Sequence, residues 1–483
     1  MEAGNADVVN SKRAGDAQRE DESPWPSGRT PEGAPWGASR KVAFRFAFSY
    51  LSLYLYPLSA TLGWFWWFWF RWEEHTYEAP WRQVVPWVAA HILRLRYEVS
   101  VSTSRDSTYE YVKVLCFVLI AALATVVWSV IDRKRIAHPK LNQWIRFYVR
   151  VVLAFTMIGF GVFKIIPMQM PPPGLTTMMR PFGDLGPWPN SLLWNFMGAS
   201  AGYVILCGLV ETLGGVLLLI PGMTTLGALV SLGALVNVFT LSGFYEVPVV
   251  LGVAHLILLA SFLLVPDIHR LVNLLVLNRG TEPERRRPLF RRRWLHYSLW
   301  GVQWALGIYV IVIQLSRAST YTHLNNSVPV TTPIYGIWSV DEFTVDGQSR
   351  PPLLTDNLRW QRVIFDSEPI MFPKMIATIQ EMSGQFSSYV ATPDTNNSTL
   401  SWRSPENAEL NELRSLNHMT VGGQGNVEMN YNRLSPDAMI LDGLMNGHRL
   451  RVTLKKEDRQ FTLKTLRFRW ITENKDLLLS PEE

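Results

Sequence analysis

The chain has 483 residues, 48% of them hydrophobic and 18% charged, with 20 Trp, 16 Tyr, 23 Phe and a net charge of +6. This composition excludes a wholly disordered chain, a collagen and a disulfide-stapled miniprotein, and the two cysteines, Cys116 and Cys207, form neither a metal knuckle nor a Cys-x-x-Cys dithiol. The mean hydropathy of +0.06 averages two unlike parts, because apolar runs crowd residues 45–315 while 1–40 and 317–483 read as soluble.

Residues 1–40 set Pro24, Pro26, Pro31 and Pro35 among polar residues and lack the apolar core of a secretory signal, which predicts a disordered cytoplasmic tail. A bilayer-spanning helix needs about 17–25 apolar residues. Seven segments meet that requirement, near 45–70, 114–131, 147–168, 192–221, 223–243, 249–266 and 297–315. The first two spans and their loop occupy 41–142, and the first ends in the aromatic run Trp64–Phe70, which suits an interfacial belt. The loop 71–108 balances arginines against acids, whereas Arg133, Lys134, Arg135, Lys140 and Arg146 follow span two. A second basic loop, 271–294, contains Arg285–Arg287 and Arg291–Arg293. Lysine and arginine are retained on the cytoplasmic side, so both basic loops and the amino terminus are expected inside and residues 317–483 outside. The same rule accounts for the positive charge with the lipid bilayer as partner and no nucleic acid.

Ionisable groups inside the slab cost about 2.5–3.5 kcal/mol each, so each is a candidate site. Arg150 lies a turn from the inner face of span three and Lys164 near its outer face, where its long stem is expected to snorkel towards headgroups. Glu211 lies near the middle of span four, beside a face of Gly208, Gly214 and Gly215 that permits close helix approach. A bundle-facing Glu211 requires Arg150, His255 or a ligand as partner. Two readings remain open: a structural buried pair, or a proton or quinone site built from Glu211, Arg150 and His255 with Lys164 attracting an anion at its mouth. In the loop between spans three and four, Arg180 and Asp184 either gate such a site or satisfy each other in a turn. No residues have metal-ligand spacing; the methionines of that loop are explained by the membrane surface.

Residues 143–270 resemble the DoxX family of four-helix membrane proteins. The resemblance rests on Arg150, Gly159, Gly161 and Lys164, on Glu211-Thr-Leu-Gly-Gly215 running to Pro221-Gly222, on Thr224–Leu229, and on His255 before Val265-Pro266-Asp267. It implies a four-helix core in the plasma membrane, that of the bacterial inner membrane. It also implies a redox-linked component, associated with quinone or thiol systems and with a redox partner protein; any enzymatic activity would be that of an oxidoreductase subunit.

After the last span, 295–317, and a linker, 318–332, residues 333–475 change period. Arg362–Phe365, Phe386–Ala391, Thr399–Trp402, Val427–Tyr431, Ala438–Met445 and His448–Lys455 carry strand formers between turn residues. Asn446-Gly447 marks a type I′ hairpin. About eight short strands predict a closed antiparallel barrel. Gly336 and Trp338 open this region and Arg467 and Arg469 close it, which resembles the calycin or lipocalin pattern of a last-strand cation covering a first-strand tryptophan. The barrel then either packs as a structural module or presents a cup for lipid or a protein partner.

Overall fold

The computed structural model describes residues 35–56, 77–101, 106–166, 169–182, 190–281, 293–327, 333–368, 374–394, 397–404, 421–422, 427–461 and 463. Residues 1–34 of the expected tail, the Trp64–Phe70 run, Asp184, the basic run 282–292, Arg467 and Arg469 lie outside the described residues; the last three residues assigned to the tail, Ala38–Arg40, are not disordered but begin a helix. The chain divides into two compact units, Met1–Tyr54 with Phe117–Trp144 and Leu55–Cys116 with Ile145–Glu483.

In the first unit, α1 (Ala38–Tyr54) brings Phe44 against His138, rings stacked at 5.6 Å, with Trp36 and Trp128 meeting the same imidazole edge-on. Arg45 donates to Ser129 Oγ (3.0 Å) and to the Asp132 carbonyl (2.9 Å), placing a cation where a helix end leaves carbonyls unpaired. Burial, then the neighbouring Arg45, pushes the His138 imidazole below its ordinary pKa.

Among the described residues five helices are long and apolar enough to cross a membrane: α3 (Thr108–Ile131), α4 (Pro139–Ile165), α7 (Ala201–Leu219), α8 (Thr224–Phe244), and α9 (Val250–Leu264) continued through a 3-10 turn into α10 (Ile268–Leu275). A shorter helix, α2 (Glu78–His91), precedes them. Two further segments of the sequence reading stand differently. The first runs into residues 57–76, outside the described residues; the last is a 17-residue apolar stretch, Tyr297–Ile313, inside α11 (Arg293–Ser327). The predicted fourth span is broken at Ala199–Ser200, which separates α6 (Asn190–Gly198) from α7. Large apolar side chains stay exposed along these helices, among them Leu119, Leu123, Val126, Leu206, Leu213 and Leu258. That pattern suits a hydrocarbon solvent.

Glycines set the helix spacing. A Cβ on Gly161 would meet the Gly208 carbonyl at 2.5 Å, one on Gly215 the Ala154 carbonyl at 2.6 Å, and one on Gly214 the Ser231 Oγ at 2.7 Å. α4 and α7 therefore cross antiparallel at backbone contact, and α7 meets α8 similarly closely. Helix α9 is charged at both ends to match its dipole: Asp106 accepts the N–H groups of Val250 (2.7 Å) and Leu251 (2.8 Å), and Arg146 donates to the Leu263 carbonyl (3.0 Å).

The carboxy-terminal region is a closed antiparallel barrel. β1 (Gly336–Val345), β3 (Trp360–Glu368), β4 (Lys374–Glu381), β5 (Phe386–Asp394), β6 (Thr399–Arg403), β8 (Val427–Ser435), β9 (Ala438–Met445) and β10 (His448–Glu457) pair in chain order, and β10 closes on β1. Two-residue strands β2 (Gln348–Ser349) and β7 (Val421–Gly422) lie beside β1 and β5. Asn446 and Gly447 adopt φ of 50° and 83°, the turn their sequence requires. Alternation sends Trp338, Phe343, Val363, Phe365, Trp402, Leu450, Val452 and Leu454 inward to a single apolar core.

Candidate functional site

The polar residues of the bundle sort into separate contacts. Lys164 is the penultimate residue of α4, and its Nζ donates to both carboxylate oxygens of Glu211 at 2.7 Å; both side chains are buried. The expected outward snorkelling of Lys164 does not occur. Helix α7 runs on past the end of α4, and Met170, Leu193, Met197, Val204 and Val247 form a buried cluster there, so a lysine terminal on its own helix is interior to the bundle. Arg150 sits fourteen positions earlier on α4, about 21 Å along the axis at 1.5 Å per residue. It donates to Gln303 Oε1 of α11 at 3.3 Å and lies over the Phe147 ring. His255 uses Nδ1 to reach the Leu251 carbonyl (2.7 Å) one turn back on α9. The sequence grouping of Glu211 with Arg150 is thus spread along α4, and the cation at Glu211 is Lys164. Cys207 lies one turn before Glu211, with Tyr203 a turn earlier and bonded to the thiol. Among the described residues no group of three or more His, Cys, Asp or Glu is arranged to hold a metal ion.

The second candidate site is a cavity of about 1000 Å³ at the end of the barrel remote from Trp338. Val345, Trp360, Ile379, Tyr389, Met445 and Leu450 give it an apolar interior, Asn357, Gln380, Glu381, Gln385, Asn446 and His448 supply a polar rim, and Phe386 lines its edge from the outer face of β5. Behind its wall Trp360 stacks on Trp402 at 5.8 Å. Burial, then the Glu381 carboxylate, raises the Tyr389 pKa, so its hydroxyl stays an O–H donor. Glu381 is held by Ser383 Oγ (3.4 Å) and Ser387 Oγ (3.2 Å).

The other end of the barrel is closed. Trp338 is fully buried and donates its indole N–H to the Ile334 carbonyl (2.8 Å), and Gly336 takes φ of 136° beside it. Among the described residues Lys456 of β10 places its Nζ 5.9 Å from the centre of this ring, so a cation from the closing strand lies over the first-strand tryptophan.

The loop between α4 and α6 reaches the barrel. Its short helix α5 (Leu175–Met179) lays Leu175 on Ile337, Ile364 and Phe386; Ile337 and Ile364 are outward residues that alternate with Trp338, Val363 and Phe365. Thr176 donates its backbone N–H to Asp366 (3.2 Å) and its hydroxyl to Thr378 (3.3 Å), which in turn meets Ser388 (2.8 Å). Arg180 follows, its guanidinium 5.2 Å from the Phe386 ring centre, and joins Pro181 in the cavity wall. Sequence reasoning marks Arg180 but links it to the bundle; nothing local in the sequence signals that it lines the barrel. Comparison with family models, curated proteins and solved structures finds no match.

Proposed function

We propose that this is an integral membrane protein whose barrel binds an amphipathic ligand. The cavity of about 1000 Å³, apolar within and polar at its mouth, carries this reading. The bundle holds the cup at the membrane. In this reading seven spans of a bacterial inner membrane leave the amino terminus in the cytoplasm and the barrel outside, as the basic loops require. Trypsin added to sealed right-side-out vesicles is expected to remove the barrel without detergent; a barrel cut only after lysis overturns the orientation. Mass spectrometry of extracts from the purified full-length protein is expected to find a stoichiometric amphiphile that is lost from a Leu450→Trp variant, whose added bulk fills the cup. Equal recovery from both overturns the binding reading.

A second reading is favoured by the buried Lys164–Glu211 pair beside Cys207. Here the bundle is a DoxX-like core of a redox-linked component, and the pair serves a quinone or a transferred proton while Arg150 and His255 stabilise the bundle around it. Glu211→Gln removes the charge and keeps the shape, so it is expected to abolish quinone binding by purified protein. Unchanged quinone binding removes this assignment.

A further inference from the structure

We infer that the barrel cup selects a hydrophobic ammonium, a positive charge on an apolar body, with Glu381 as its counter-ion and Trp360 as its aromatic face. This deepens the cup reading above and rests on it. The strand register brings the two residues together. Trp360 of β3 lies directly opposite Glu381 of β4, and Ile379, two residues before Glu381, points into the barrel core, so alternation turns Glu381 inward as well. Side chains paired in this way start about 4.5–5.5 Å apart at Cβ. The carboxylate is held by Ser387 Oγ of β5 (3.2 Å) and by Ser383 Oγ of the turn before it (3.4 Å). Both are neutral donors, one to each oxygen, so each oxygen keeps a lone pair for a ligand, and among the described residues no cation pairs with Glu381.

The other ionisable groups of the wall leave this sign in place. Arg180 meets the wall over Phe386, which packs on the outer side with Ile337 and Ile364, and His448 at the rim is bound through Nδ1 to Asp346 (2.7 Å). An ammonium seated between an indole and a carboxylate is attracted by both, since the ring quadrupole favours a cation and an apolar wall weakens screening. Deeper in, Trp360 and Tyr389 both pack on Trp402, each with ring centres 5.8 Å from it, and Val345, Ile379 and Leu450 complete an apolar lining for the body of the ligand. A fatty acid would bring its own carboxylate up to Glu381, so the same geometry rejects it.

The test uses the full-length protein in an uncharged maltoside detergent and two photoprobes of equal chain length, a diazirine-bearing dodecylammonium and the corresponding alcohol. Adducts are mapped to peptides containing Trp360, Tyr389 or Leu450. Unlabelled dodecylammonium is expected to displace the ammonium probe about tenfold better than dodecanol or dodecanoate. Glu381→Gln keeps the shape and removes the charge, so it should abolish that preference while the alcohol probe labels the variant as well as the unaltered protein. Dodecylammonium ahead of phenethylammonium assigns the ligand to the membrane, and the reverse order to the surrounding solution; either order supports the ammonium site. Equal competition by the ammonium, the alcohol and the carboxylate, a preference that survives in Glu381→Gln, or adducts from the alcohol probe alone overturns the ammonium site and leaves the cup reading standing. Absence of barrel adducts from both probes overturns the cup reading itself.

Discussion

At the scale of single residues, the decisive contact is the one between Lys164 and Glu211. Two buried charges that satisfy each other are tolerated, whereas removing one partner leaves the other stranded at a cost of about 3–5 kcal/mol. Lys164→Met is therefore expected to lower the melting temperature of the detergent-solubilised protein sharply, and Lys164→Met with Glu211→Leu to recover most of the loss. A double variant no more stable than the single one contradicts this account. The glycines around Glu211 make its bundle-facing position legible in the sequence. Its partner is not legible, because depth counted along one helix ignores how far the neighbouring helix extends beyond it. A second residue-scale prediction concerns Asp356. Burial opposes its charge, yet the N–H groups of Leu358 and Arg359 and the Arg350 guanidinium hold its carboxyl below the usual range. The stability it confers is present above the unfolded carboxyl pKa of about 3.9 and lost as pH falls through the lower folded value. Asp356→Asn should destabilise the protein by about 1–3 kcal/mol at neutral pH and flatten the acid limb below pH 4, as followed by tryptophan fluorescence.

Elements show why periodicity is an uneven guide. The strands with one face on solvent alternate cleanly, and Asn446-Gly447 announces its hairpin. β4 escapes the sequence reading because both its faces are covered: Met375, Ala377 and Ile379 point into the barrel, while Ile376 and Thr378 are also buried. A strand buried on both sides reads as an apolar run without period two. Among the helices, glycine has two distinct meanings. On Gly215 a Cβ would strike the Ala154 carbonyl at 2.6 Å and the Ile158 nitrogen at 2.9 Å, both backbone atoms; on Gly202 of the same helix it would meet nothing within 4 Å. Gly215→Ala is expected to lower the melting temperature by several degrees, and Gly202→Ala to leave it unchanged or raise it, since alanine is favoured in helices by up to about 1 kcal/mol. Equal effects of the two substitutions would refute close packing of α4 on α7.

At the scale of the whole molecule, a local pattern separates an apolar bundle from a β-domain but carries no information on how a loop of one serves the other. The contacts of Leu175 and Thr176 join residues almost two hundred positions apart, beyond the reach of any sequence window. Asp366→Ala removes the acceptor of the Thr176 N–H and is expected to raise hydrogen–deuterium exchange of the Leu175–Arg180 amides severalfold while the barrel's own melting changes little. Protection equal to that of the unaltered protein would show that the apolar contact of Leu175 suffices.

The pairing of β10 with β1 has a mechanical corollary. Because Ile337 lies opposite Glu457, the polypeptide arrives at and departs from the cylinder on neighbouring staves. Suspended from that seam alone, the cylinder would swivel about its tether; the second fastening through Leu175 and Thr176, on its flank, removes that freedom and gives the opening a set bearing.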